Sequence, residues 1–237
     1  MGRSIGSSDT AVSQGGPLPA HIRRVLIVGA GGFGREVYRW ACGAWPADIG
    51  RLTGFLSADP AMLAGHDCPI PIIADPLAFQ PTPDTAFLLA IGIPRVRRTV
   101  AEALCSRGAE FLSLVHPTAI VSPTAVIGPG SIICPLSVVS DNARLGRFTL
   151  VNYHSSLAHD AVAGDFAVVS PYAALAGGAE IGDDVFLGLH ASVGPGKRIG
   201  PRSKVSANSA ALCDAPADSL VYGVPGRVHP IVSGAEC

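Results

Sequence analysis

Seven histidines and a few glycines mark where this 237-residue sequence could do chemistry. His159 is followed by Asp160. An imidazole beside a carboxylate suits a general base, because the ring titrates near neutrality and the carboxylate favours its charged form. His154 precedes that pair and His190 follows it, while His21, His66, His116 and His229 fall where a solvated or capping role is expected. The run Gly29-Ala30-Gly31-Gly32-Phe33-Gly34 follows an apolar stretch, and such a turn offers backbone N–H groups to a phosphate. Six cysteines (Cys42, Cys68, Cys105, Cys134, Cys213 and Cys237) stand far apart with no CxxC pair. That spacing disfavours a zinc knuckle or a disulfide scaffold, and no metal is expected.

Most of these histidines lie in a repeat. From Val115 to Ala210 the chain divides into sixteen hexads without an insertion. The first position is Val, Leu or Ile in fifteen of them, Ala163 being the exception. The fifth is Ala, Ser or Thr in fourteen, with Val185 and Lys197 as exceptions. A period of six with one branched apolar and one small residue describes short strands meeting at tight corners, stabilised by stacking coil on coil.

Residues 21–114 read differently. Arg24–Val28 is a buried strand leading into the glycine turn and a helical stretch to about Cys42. Leu52–Leu56, Ala86–Ile91 and Glu110–Leu114 are further strands, and Pro94–Gly108 reads as a helix closed by glycine. Alternating strands and helices predict a small parallel sheet. About 94 residues are too few for a complete dinucleotide fold, which argues against an oxidoreductase and for a mononucleotide or nucleotide-sugar site. Residues 1–20 read as a polar leader without the apolar segment of a signal peptide, so a cytoplasmic location is expected. Seventeen basic against eighteen acidic residues exclude the basic footprint of a nucleic-acid binder. No apolar run approaches the ~18 residues of a membrane span. The expected plan is a leader (1–20), a nucleotide-sugar domain (21–114), a repeat domain (115–214) and a C-terminal cap and tail (215–237).

A small Rossmann-like domain ahead of a hexapeptide repeat resembles the bacterial hexapeptide-repeat sugar acyltransferases. That family includes UDP-4-amino-sugar (bacillosamine pathway) and GDP-perosamine N-acetyltransferases and sialic acid O-acetyltransferases. The resemblance covers roughly residues 22–232 and is strongest in GAGGFGRE, in HPTA at 116–119, in NYHSSLAHD at 152–160 and in YGVPGR at 222–227. It implies a left-handed parallel β-helix with three hexads per triangular coil, and three subunits packed side by side. It assigns His159 and Asp160 to the catalytic dyad and Asn152 to the acceptor pocket. It places Gly31, Gly32, Phe33, Ser57 and Gly92 against the nucleotide sugar. Acetyl-CoA is the implied co-substrate, with Ala167, Gly177, Gly178, Leu189 and Ala207 as donor contacts; at Ala167 some relatives carry a histidine.

Coils of eighteen residues put Gly177 and Gly178 directly over His159 and Asp160. Two residues without side chains leave a notch where a pantetheine arm could lie, with N–H groups for a thioester oxyanion. The expected reaction is N-acetylation of a nucleotide-linked amino sugar for cell-surface glycans, by direct attack with His159 as base. Sugar O-acetylation remains an alternative, because a histidine base serves both. A γ-carbonic-anhydrase-like zinc site is a further alternative, since His154 and His159 have an HxxxxH spacing and His190 stacks two coils above His154. A non-catalytic scaffold is disfavoured by the dyad and its glycines. A homotrimer is expected from the resemblance and from the few charges of the repeat, six basic and six acidic. Lys197, Arg198, Arg202 and Lys204 form a basic cluster that either meets the CoA phosphates or caps the repeat.

Overall fold

The computed structural model describes residues 17–231. Most of the expected leader, and Cys237, lie outside them. The first domain has the strands β1 (Arg24–Val28), β2 (Leu52–Leu56), β3 (Ile72–Ala74), β4 (Thr85–Leu89) and β5 (Glu110–Phe111), all parallel in the order β3-β2-β1-β4-β5. Helices α1 (Gly32–Ala44) and α2 (Pro94–Cys105) cover opposite faces. Strand alternation explains this: Val25 and Ile27 pack with Val37 and Ala41 of α1, whereas Leu26 and Val28 pack with Ala101 and Leu104 of α2. Leu18 is buried and its N–H donates to Asp48 Oδ2, so packed chain begins inside the expected leader. Strand β3 is new relative to the sequence reading, and Leu114 leaves the sheet to open the repeat.

The repeat folds as a parallel β-helix. Two-residue strands run from Leu114–Val115 to Ala210–Ala211 and stack into three sheets. Val138 pairs with Ser156 and Ser156 with Ala174, the eighteen-residue register expected of three hexads per coil. The first hexad position points inward: Ile133, Val151, Val169, Leu187 and Val205 form one buried column, and the small fifth position packs beside it. The last coil shortens, with Val205 facing Val221, and an antiparallel hairpin of Ser219–Tyr222 and Arg227–Pro230 closes that end.

At the corners the fourth hexad position adopts a left-handed backbone, as at His154 (φ 57°), Asp160 (φ 61°) and His190 (φ 55°). Proline occupies the third position seven times, the arrangement of a turn with proline first and a positive φ second. Leu114, Ile132, Leu150 and Val168 face outward from one sheet and are buried by the first domain. Phe148 and Phe166, stacked at 4.9 Å, extend this joint, and Arg98 binds both oxygens of Asp184 at 2.9 Å.

Candidate active site

His159 and Asp160 occupy the third and fourth positions of one corner. The imidazole Nδ1 lies 2.9 Å from Asp160 Oδ2, and both side chains are largely exposed. Asp160 Oδ1 accepts a 3.0 Å hydrogen bond from Asn142 Nδ2, one coil below. The imidazole and this amide together hold the Asp160 carboxyl below its ordinary value, so it is an anion at neutral pH. With Nδ1–H donated to Asp160, Nε2 is left as an acceptor. Sequence reasoning missed Asn142, although subtracting eighteen from Asp160 finds it.

Gly177 lies directly over the ring. A Cβ there would stand 2.5 Å from His159 Nε2 and 2.6 Å from Cε1, so only glycine leaves this imidazole in place. The two glycines differ in what they offer. Gly178 N–H already donates to the His159 carbonyl at 2.9 Å, whereas Gly177 N–H has no acceptor among the described residues. The free donor beside the imidazole is therefore the Gly177 N–H. Proline removes this N–H at seven of the equivalent third positions, and at Arg147 and Asp165 an aspartate of the next coil accepts it.

The remaining donor contacts divide. Leu189 and Ala207 are exposed and stack one coil apart on the neighbouring corner, the corner of Asn152. Asn152 Oδ1 accepts the Tyr153 N–H at 2.8 Å. One chain thus does not bring Asn152, Leu189 or Ala207 to the His159 corner. Ala167 is fully buried in the β-helix core, and its assignment as a donor contact is corrected. As a fifth-position residue it points where small side chains fill the interior.

Gly31, Gly32, Phe33, Ser57 and Gly92 come together at the carboxyl ends of β1, β2 and β4, where the chain leaves the central strand β1 on one side and re-enters as β4 on the other. Ligands of open parallel sheets bind at such a switch point. Gly31 caps α1 at its N-terminus, and a side chain at Gly31 or Gly92 would meet nothing within 4 Å. Gly29 and Gly34 are structural: a Cβ on Gly34 would stand 1.9 Å from the Gly29 carbonyl oxygen. Ser57 Oγ accepts the Asp59 N–H at 3.2 Å. Beside the glycine turn, Gly32, Phe33, Arg35, Glu36, Arg39, Trp40, His66 and Asp67 line a cleft of about 570 Å³.

Within one chain His154 and His190 are not placed to share a zinc ion. The rings of His154, Tyr172 and His190 stack at 4.9 and 4.7 Å, so Tyr172 separates the two histidines that would share an ion. No group of His, Cys, Asp and Glu suited to a metal occurs among the described residues. Nor do the four late cations form one cluster: Arg198 pairs with Glu180, Arg202 with Asp218, and Lys204 lies over the Phe186 ring. No described helix is long and apolar enough to cross a membrane.

Residues 24–104 match the family described as the PglD N-terminal domain. A GDP-perosamine N-acetyltransferase of Escherichia coli O157:H7 is 31% identical over 72 residues, 30% of this chain. The chain thereby spans only 33% of the length of that curated relative. Over the whole fold, the acetyltransferase domain of PglB from Neisseria gonorrhoeae FA1090, solved with acetyl coenzyme A, has a TM-score of 0.78 and 28% identity across 88% of this chain and 100% of its own. PerB from Caulobacter crescentus, solved with CoA and GDP-perosamine, has a TM-score of 0.77 and 28% identity across 87% of this chain and 97% of its own. A PglD-type sheet domain docked on a hexapeptide β-helix makes the chain similar, over most of its length, to the hexapeptide-repeat sugar acyltransferases.

Proposed function

We propose that the protein transfers the acetyl group of acetyl-CoA to the amino group of a nucleotide-linked sugar, within cytoplasmic assembly of a cell-surface glycan. The observation that carries this reading is the His159 imidazole, fixed at Nδ1 by Asp160 and lying with Nε2 against the side-chain-free surface of Gly177. The relatives support it, being an N-acetyltransferase of GDP-perosamine and acetyltransferases solved with acetyl coenzyme A or with CoA and GDP-perosamine.

The chemistry needs few parts. The amine nitrogen attacks the thioester carbon while Nε2 of His159 accepts its proton. Asp160 stabilises the resulting imidazolium, and the carbonyl oxygen, now carrying negative charge, accepts the Gly177 N–H. Collapse of the tetrahedral species breaks the C–S bond, and the imidazolium returns its proton to the departing CoA sulfur. No cysteine stands at this corner, so transfer is direct.

The acting unit is a homotrimer. Asn152, Leu189 and Ala207 lie one corner away from His159, and a neighbouring subunit would bring that corner against the dyad. His159→Asn is expected to fold normally and to lose at least ~10²-fold in turnover. The assay is thiol release from acetyl-CoA with a panel of UDP-, GDP- and CMP-linked amino sugars. Near-normal turnover in the folded variant removes His159 from the role, and thiol release with none of the panel removes the reading.

A further inference from the structure

Arg97 is a buried cation outside the catalytic corner. Its side chain is fully buried on α2 and makes no ion pair among the described residues. Its hydrogen bonds go to three backbone carbonyls: Nη1 donates to Leu89 O at 2.7 Å and to Ile91 O at 2.9 Å, and Nε donates to Phe148 O at 2.8 Å. Leu89 ends β4 and Ile91 precedes Gly92, so two acceptors belong to a loop at the carboxyl edge of the sheet. The third belongs to a corner of the β-helix.

Burying a charge without a counter-ion is costly, and an apolar side chain of similar volume often serves stability as well or better. Burial pushes the guanidinium pKa down to about 9, leaving it charged at neutral pH. The placement gives that charge two effects. It neutralises carbonyl dipoles that would otherwise repel an anion arriving at the edge of the sheet. It also fixes the edge of the first domain to the coils that carry His159. Arg98, its neighbour, ties the same domains through Asp184 without touching this loop.

We propose that Arg97 is a positioning residue for the nucleotide sugar, holding the Leu89–Gly92 loop against the Phe148 corner so that the diphosphate is received at a fixed place relative to the catalytic coil. This rests on the reading of the β1, β2 and β4 loops as the nucleotide-sugar site. Lysine keeps the charge but cannot serve three carbonyls with the geometry of a guanidinium.

The test is calorimetric titration of the full-length protein, in separate experiments, with UDP, GDP and CoA, comparing the parent with Arg97→Lys and Arg98→Ala. Arg97→Lys is expected to weaken whichever nucleoside diphosphate the parent binds by about tenfold, because an ammonium cannot hold the three carbonyls in the fixed fork that a guanidinium provides. CoA binding should stay within about twofold, and Arg98→Ala should leave both ligands within about twofold, because Arg98 hydrogen-bonds Asp184 and Glu102 and not the loop carbonyls. Unchanged nucleotide binding in folded Arg97→Lys overturns the proposal, and so does equal weakening of CoA. A parent that binds neither UDP nor GDP overturns this proposal, which requires a nucleoside diphosphate, while the nucleotide-sugar reading stands or falls with the assay of the sugar panel. Should Arg97→Lys fail to fold, amide exchange in the parent decides: the nucleotide that binds should slow residues 89–93 and 146–149 together, and protection confined to the glycine turn overturns the tie.

Discussion

Adding one methyl group at Gly177 separates catalysis from folding. In Gly177→Ala the new Cβ falls 2.5 Å from His159 Nε2, while ordinary contact begins near 3.4 Å, so the ring must retreat by about 0.9 Å. The retreat is easy, because the struck atoms are the far end of an exposed side chain. Position 177 is not among those with positive φ, and replacing glycine there restricts the unfolded chain. Stability should therefore hold or rise by about 0.4–1 kcal/mol. Turnover should not hold. A base displaced by about an ångström costs on the order of 10²-fold, or roughly 2.7 kcal/mol of barrier. Gly178→Ala reverses the pattern. Its Cβ would meet nothing nearer than Gly196 Cα at 4.0 Å, but φ is +65°. That variant should lose about 1–2 kcal/mol of stability and keep turnover within a few-fold. Thiol release from acetyl-CoA at saturating substrates, beside urea unfolding of each variant, reads both quantities. Parent-like kcat in Gly177→Ala, or an equal kcat loss in Gly178→Ala, would refute the placement of the base against Gly177.

Gly31→Val should raise KM for the nucleotide sugar and spare KM for acetyl-CoA, since its side chain enters open space at the helix N-terminus; equal effects on both would exclude the glycine turn from the sugar site. Gly34→Val should not accumulate as folded protein, because of its collision with the Gly29 carbonyl, and a normal circular-dichroism melt would contradict that. Arg202 holds the Asp218 carboxyl below its ordinary value. Its contribution to stability is complete above the unfolded value of about 3.9 and is lost as pH falls through the lowered folded value. Asp218→Asn should be less stable than the parent at pH 7 and match it at the acid end of a urea series; a difference independent of pH would exclude the ion pair as its source. Light scattering should give the mass of three chains, and a monomer at micromolar concentration would leave the site without its second corner.

The repeat was legible because its packing is strictly periodic. Each first-position residue that the hexads marked as interior proves to point inward, and the eighteen-residue register places Gly177 on His159. The same periodicity, applied consistently, puts Leu189 and Ala207 one corner away from His159, where only a second subunit could bring them to it, and puts Ala167 in the core; the Ala167 assignment came from resemblance and ignored depth. The joint between domains was also visible after the fact, as apolar residues eighteen apart at Leu114, Ile132, Leu150 and Val168. Arg97 was not legible, because nothing local distinguishes a helical arginine whose acceptors are backbone carbonyls. Strand β3 spans three residues, too few for a period to show. The late cations looked like a cluster in sequence, but successive hexads lie on different faces of a triangular coil, and two of them are neutralised by acids sixteen or eighteen residues away.

The unbroken eighteen-residue ladder makes the length of this domain quantised. Loss of one residue anywhere between Leu114 and Ala211 would turn every later core side chain toward a different direction, so only whole coils can be gained or lost, each changing the height by about 4.8 Å. Such excisions would be equivalent for folding yet not for chemistry. Removing residues 177–194 keeps the register but sets Pro195 over His159 where Gly177 had been. Proline has no N–H to give an oxyanion, and its ring would fill the space above the imidazole. Removing a coil below Asn142 would leave the dyad, its amide support and its glycine untouched. The β-helix can therefore vary in height below Asn142 or above Gly178, but not between them.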